Sequence, residues 1–264
     1  MRLITGLSNP TIKYLRALRD KKHRRREERF LAEGLRLLTD ARETGYLPET
    51  LVMAEGRDPH PLLDTLIDAV EAAGGDVIEV SEAALSKITG KDNPQAVCGV
   101  FAEFDTGLAR IDRNSASLFL VAQAMRDPGN LGTMLRTADA VGAGGLILLD
   151  DCADPFSVEA VRASMGAVFT VPLAQARWDE FQGWLRSGEG QLVAASLREP
   201  YDYREAPYAA PCFVMVGNES RGLPEEYEIA CDLRVTIPML GRADSLNASI
   251  AGAVLAYEAL AKLR

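Results

Sequence analysis

Histidine and cysteine are scarce in this chain, and the way they are scattered removes several chemistries at once. Two histidines occur, His23 inside a basic run and His60 between two prolines, so neither a Ser-His-Asp triad nor a histidine-ligated metal has its material. Four cysteines stand at 98, 152, 212 and 231 without any C-x-x-C pair, which leaves no zinc grip or dithiol centre and reads as reduced core residues. There is no Walker A sequence, and Ser164 lacks the Gly-x-Ser-x-Gly context of a hydrolase nucleophile. Long apolar runs are missing too. The most continuous one, Ala248 to Tyr257, is interrupted by Ser249 and falls far short of the ~20 residues of a membrane span. The N-terminus opens on Arg2 without the apolar region of a secretory signal, so a cytoplasmic protein is expected.

What remains is a globular composition, 47% hydrophobic and 25% charged over 264 residues, enough for one large domain or two modest ones. The net charge is −9, but it is unevenly spread. Residues 1–30 hold ten Lys/Arg against three Asp/Glu, whereas the rest of the chain carries 19 against 35. A basic head on an acidic body is compatible with phosphate contacts, with a solvated helix face as the alternative.

The apolar residues Ile12, Leu15 and Leu18 recur every third position among Lys and Arg, which predicts one mostly polar helix from Asn9 to about Glu28. An amphipathic helix through Leu35, Leu38 and Ala41 follows, then an apolar run Thr50–Met53. A helix from Pro61 to Ala73 ends at Gly74-Gly75, Val77–Val80 reads as a strand, Ser81 caps a short helix, and Val97–Phe104 closes the unit as a strand. Residues 1–104 thus read as a small α/β domain and 105–116 as a linker. From 117 to 264 a second alternation begins at Leu118–Ala122. Its further strand candidates are Leu146–Leu149, Val168–Val171, Gln191–Ala195, Phe213–Val216 and Leu233–Ile237, implying a mostly parallel sheet covered by helices.

Two constellations invite a cofactor or a metal. The glycines Gly142, Gly144 and Gly145 suggest a dinucleotide site, and with it a nucleotide-dependent oxidoreductase, but they follow a helix and lead into a strand, the reverse of the Rossmann order. A helix-ending role accounts for them better. Asp150, Asp151 and Asp154 at a strand end offer carboxylates to magnesium, or simply make a polar loop; no other ligand cluster joins them.

Three other stretches pair glycines and amides with one charge each: Asn130-x-Gly132-x-x-x-Arg136, then Gly217-Asn218-Glu219-x-x-Gly222-Leu223, then Ile237-Pro238-Met239-x-Gly241 followed by Ser245-Leu246-Asn247-x-Ser249. Singly, each is accounted for by a turn and a helix cap. In this order and spacing they resemble the three motifs of the SpoU/TrmH family of RNA ribose 2′-O-methyltransferases in the SPOUT superfamily. The resemblance takes in Ala153–Phe156 and Arg162–Gly166 and covers essentially all of residues 117–264. The amino half is more loosely similar to that family's substrate-binding domain, through Phe30–Gly34 and Asn93–Val97. Ala248 departs from the pattern, where relatives often carry valine.

The resemblance implies an α/β fold whose C-terminal domain is a deep trefoil knot, and nothing in the periodicity indicates that. It implies S-adenosylmethionine as the methyl donor, held by Gly217, Ile237, Met239, Leu246 and Asn247 largely through backbone groups, with no metal, and a homodimer with the site beside the interface. It further implies that Arg136 activates the ribose hydroxyl while Asn130, Glu219, Ser245 and Asn247 position it, the ribose phosphate or the donor. A guanidinium has a pKa above about 12, so Arg136 is expected to act by stabilising the developing alkoxide, with action as a true base as the alternative. Lys21, Lys22, Arg24, Arg25, Arg26 and Arg162 are the expected RNA contacts. Ribosomal RNA, and 23S RNA in particular, is favoured over transfer RNA by resemblance only; a non-catalytic RNA-binding protein that keeps the fold is the alternative.

Overall fold

The computed structural model describes residues 2–198 and 200–264. The chain forms two compact units, one made of residues up to Phe104 together with Phe156–Phe169, the other of Asp105–Pro155 and Thr170–Arg264.

In the first unit the elements are β1 (Arg2–Ile4), α1 (Pro10–Ala17), α2 (Lys21–Glu27), β2 (Arg29–Glu33), α3 (Leu35–Glu43), β3 (Thr50–Ala54), α4 (Pro61–Ala72), β4 (Asp76–Val80), α5 (Glu82–Thr89) and β5 (Val97–Ala102). The sheet order is β1-β4-β3-β5-β2; β1, β4 and β3 run parallel, while β5 is antiparallel to both its neighbours. Ile12, Leu15 and Leu18 are all buried against Val52, Ile78, Leu85 and Ile88, so the three-residue stripe is the inner face it promised to be. The single helix expected over 9–28 is two. Asp20 accepts from the backbone N–H groups of Lys22 and His23, a side-chain cap that ends one helix and starts the next without interrupting the polar pattern. Ser81 caps α5 by accepting from Ala84 N, as expected.

The second unit opens with residues 105–116, of which Leu108 and Ile111 are buried in its core beside Phe119, Phe181 and Phe213. Then come β6 (Leu118–Gln123), α6 (Pro128–Ala140) and β7 (Leu146–Leu149). Gly142, just beyond α6, has φ +63°, the helix-ending conformation that favours glycine. The segment α7 (Val158–Ser164) belongs to the first unit with most of α8 (Ala167–Thr170), and Phe156 and Phe169 pack tilted rings 5.0 and 5.9 Å from that of Phe30. Val168–Val171, expected as a strand, is therefore mostly α8. Ser164 Oγ accepts from Val168 N at 3.4 Å to begin the turn, and Phe169 gains its burial in the aromatic cluster. The strand starts only after Pro172.

The unit continues through β8 (Leu173–Ala176), α9 (Trp178–Arg186), β9 (Gln191–Ala195), β10 (Tyr201–Asp202), β11 (Cys212–Val216), α10 (Glu225–Ala230), β12 (Leu233–Thr236) and α11 (Ala248–Leu263). Seven strands in the order β10-β12-β9-β11-β6-β7-β8 are parallel throughout. Residues 118–123 are all buried, as strands covered on both faces must be. The strand β12 enters the sheet between β9 and β10, and α11 then returns across β11 and β6 to pack on α6. Sequential winding alone gives no reason for that return. Among the described residues no helix is long and apolar enough to cross a membrane.

Candidate active site

Three loops leave the sheet at the C-terminal ends of β6, β11 and β12, where parallel sheets place their ligand crevices. After β6, Asp127 caps α6 by accepting from Asn130 N at 2.7 Å, with Pro128 in the first turn. This sets Asn130 on the outward side of the first turn. After β11, Asn218 Oδ1 accepts from Ser220 N and Arg221 N, folding a tight turn, and its Nδ2 donates to Ala124 O at 2.8 Å. Gly217 is required there, since a Cβ would lie 2.5 Å from the Gly222 carbonyl carbon and 2.6 Å from Leu223 N. After β12, Asn247 caps α11 by accepting from Ser249 N at 2.9 Å and Ile250 N at 3.3 Å.

These caps bring the three loops into one hydrogen-bonded chain. Asn130 Nδ2 donates to Glu219 Oε1 at 3.0 Å, and Asn247 Nδ2 donates to Asn130 Oδ1 at 2.9 Å. Ser249 Oγ lies 2.7 Å from Asn247 Oδ1 and 3.4 Å from Asn130 Oδ1, so its single proton serves the nearer acceptor first. The direction of the chain follows from chemistry. An ionised Glu219 only accepts, so Asn130 must turn its NH₂ toward it and leave its carbonyl for Asn247 and Ser249. Both amides are thereby locked in one orientation.

Beside the network lies a cavity of about 580 Å³, within the range of small-molecule sites, roughly 300–1,000 Å³. Of the residues expected to hold the donor, Gly217, Ile237, Met239 and Leu246 line it, and Asn247 does not. Glu219 and Ser245 also line it, while Asn130 and Asn247 reach it only through the hydrogen bond to Glu219. The Ser245 hydroxyl makes no hydrogen bond among the described residues. Ala248, the departure from the family pattern, is a buried wall residue. The apolar walls of Val216, Ile237, Met239, Leu246 and Leu255, with the tight Gly217 turn bringing backbone close, suit a flat purine and an aliphatic chain, which S-adenosylmethionine presents.

Sequence reasoning overlooked the contributions of the β9 end and of α10. Ala195, Ser196 and Leu197, just past β9, form part of the cavity, and the position of a strand end in a parallel sheet was the available signal. Glu228 lines it from α10, 3.4 Å from Arg198. Ser249, the last residue of the third motif, had no role assigned to it; it is buried and belongs to the network. Arg136 is on the exposed face of α6, neither lining the cavity nor hydrogen-bonded to the network among the described residues. Asp150, one of the three carboxylates considered for magnesium, accepts from Gln123 Nε2, Tyr227 OH and Trp178 N, so its oxygens hold strand and helix ends together. Burial and that bond push the Tyr227 hydroxyl above its ordinary pKa.

Of the expected RNA contacts, Lys21, Lys22, Arg25 and Arg26 are exposed on α2. Arg24 is turned inward and buried, its guanidinium donating to Leu18 O at 3.0 Å and Arg19 O at 2.6 Å, so it closes the end of α1 instead of facing solvent. Arg162 Nη2 lies 3.0 Å from Glu33 Oε2, which Lys91 Nζ also approaches at 3.1 Å.

Residues 117–257 match the SpoU rRNA Methylase family. The chain belongs to this family. As a SpoU methylase it also carries, over residues 9–99, a match to the MRM3-like substrate binding domain. It is 31% identical over 258 residues to the 23S rRNA (guanosine(2553)-2′-O)-methyltransferase RlmP of Bacillus subtilis, covering 97% of this chain and 98% of the relative. It is 29% identical to the 23S rRNA (uridine(2479)-2′-O)-methyltransferase of Streptomyces viridochromogenes, covering 92% of this chain and 86% of that protein. The crystal structure of an AdoMet-bound rRNA methyltransferase from Sinorhizobium meliloti superposes with a TM-score of 0.92 at 42% identity, covering 99% of this chain and 98% of the other.

Proposed function

We propose that this SpoU methylase transfers the methyl group of S-adenosylmethionine to a ribose 2′-hydroxyl of structured RNA, with 23S ribosomal RNA as its substrate class. The observation that carries the reading is the junction of the three loops. The Glu219 carboxylate faces the cavity on one side and is fixed by the Asn130–Asn247 amide chain on the other. The Bacillus and Streptomyces relatives are 23S rRNA 2′-O-methyltransferases, which supports the choice of substrate.

Bound in the cavity, S-adenosylmethionine supplies an electrophilic methyl group on a sulfonium. The protein's part is to align the ribose oxygen and to manage the proton and charge that leave it. The rigid amide chain presents Glu219 and the Gly217 turn at a fixed place, so alignment costs little further ordering when RNA arrives. Arg136 supplies positive charge toward the developing alkoxide. Its exposed place on α6 leaves room for RNA, or for a second copy of the chain, to complete the site. Ile250 and Tyr257, 49% and 56% exposed and seven residues apart on α11, give one apolar face on which a homodimer can close. A cytoplasmic setting, where ribosomal RNA is assembled, fits this reading.

Labelled methyl transfer to unmodified ribosomal and transfer RNA, assayed separately and followed by alkaline hydrolysis, tests the proposal. Label in an alkali-resistant dinucleotide from 23S RNA is the expected result. Label in transfer RNA would change the substrate. Label released in fully cleaved nucleotides would place the reaction on a base. Donor binding without transfer to either RNA would favour a non-catalytic RNA-binding role.

A further inference from the structure

Besides the exposed cations of α2, the first unit carries a second group of basic side chains, gathered around a cleft. Where α1 and α5 pack together, their C-terminal ends open a cavity of about 510 Å³ lined by Arg16, Arg19, Lys87 and Lys91 together with Asp20 and Asp92. Asp20 is engaged by the N-terminal N–H groups of α2, and Lys91 by Glu33. Arg16, Arg19 and Lys87 are exposed, and none of these three side chains has an acidic partner within the described residues. Arg19 lays its guanidinium against the backbone of Gly90, which has φ +72°. Lys21 and Lys22, which follow Asp20 in the chain, are exposed on α2.

Two helix C-termini converge at this place, and cations stabilise such ends. That accounts for one cation at each end. Arg16 and Lys87, in the last turns of α1 and α5, are those two; it does not account for Arg19, nor for the meeting of all three unpaired cations around one open concavity in a chain of net charge −9. We propose that the cleft formed by Arg16, Arg19, Lys87 and Lys91 is a phosphodiester-binding site that grips the backbone of the RNA substrate, supplying affinity and register while the cavity of the second unit supplies the chemistry. This rests on the RNA-methylating function proposed above and extends it to a defined anchor. Binding of this kind carries no base information, and each phosphate neutralised adds to its salt dependence.

The test uses the full chain carrying Arg16→Gln and Lys87→Gln together, with Lys262→Gln and Arg264→Gln on α11 and at the chain end as a charge-matched control. The probe is in-vitro-transcribed 23S ribosomal RNA. The cleft variant should raise KM for the transcript ~10-fold and leave kcat at saturating RNA within about twofold. Its slope of log affinity against log salt should be shallower by about two, one for each phosphate that is no longer neutralised, while the control keeps the wild-type slope. A cleft variant that matches the control in KM and slope overturns the proposal. So does one that melts at a lower temperature with the slope unchanged, which would assign these cations to the helix ends alone. If the wild-type chain transfers no methyl group, the proposed reaction fails, and the salt slopes for transcript binding still decide the cleft on their own.

Discussion

Asn247 donates its side-chain amide to Asn130 Oδ1 at 2.9 Å, joining the cap of the last helix to the first turn of α6 across 117 residues of sequence. Asn130 passes the polarity on to Glu219. Replacing Asn130 with alanine removes the middle of this chain and leaves Glu219 and Asn247 without their shared partner. Hydrogen bonds removed in this way cost about 1–3 kcal/mol, which converts to roughly a 5- to 150-fold fall in kcat if the network acts in the transition state. Donor affinity should change less than about threefold, because Asn130 does not line the cavity. Single-turnover methylation alongside donor titration calorimetry separates the two; an unchanged kcat would remove the network from catalysis.

Gly217→Ala tests the cavity wall. The added methyl would meet backbone atoms at 2.5–2.7 Å, and backbone cannot rotate away as a side-chain tip can. The turn must shift, at a stability cost of about 1–3 kcal/mol, and the cavity must deform with it. Donor affinity is expected to fall at least ~10-fold while the RNA affinity of the full chain stays near wild type. Donor affinity equal to wild type would mean that the cavity is not the donor site.

The contrast between these two sites marks what could be read in advance. Gly217 and Glu219 lie on a contiguous motif behind a strand, and a strand-to-helix turn is local enough to be legible. The partnership of Asn130 with Asn247 is not local. It depends on α11 returning to α6, which no periodicity records. The same limit explains the aromatic cluster. Phe156 and Phe169 are coded in the midst of the second unit's strands, yet their burial is decided by Phe30 and Phe101 far upstream. Local pattern also fails where a side chain competes with backbone, as Asp20 does when it divides one apolar stripe into two helices. Arg24 carried the sign of an RNA contact, but charge does not say which way a side chain points.

Two thiols withdrawn from water, Cys212 buried and Cys152 half-buried, give the protein an alkaline limit. Burial pushes Cys152 up to about 11 and Cys212 up to about 12, from an ordinary value of 9.0. A thiol that stays neutral in the folded chain but ionises when unfolded withdraws stability as pH rises. The contribution is complete below pH 9 and declines between 9 and the folded value. In that window each such thiol lowers stability by about 1.4 kcal/mol per pH unit. Urea denaturation of Cys212→Ala at pH 8, 9, 10 and 11 should therefore show a slope against pH shallower than wild type by about that amount, whatever the cavity costs at pH 8. Parallel slopes would mean that the Cys212 thiol ionises in the folded state.

Arg136→Lys asks whether positive charge alone suffices. The residue is on the exposed face of α6, two turns beyond the capped N-terminus, and lysine preserves helix propensity and charge there. What it removes is the planar fork, which can hold two oxygens at once, such as a ribose oxygen and its neighbouring phosphate. If Arg136 stabilises the alkoxide through that geometry, kcat should fall ~100-fold or more, as when a single oxyanion donor is removed. Donor affinity and melting temperature should stay put, since Arg136 neither lines the cavity nor supports the fold. A point charge would instead leave substantial turnover. Retained turnover in Arg136→Lys would take Arg136 out of the role of alkoxide-binding fork.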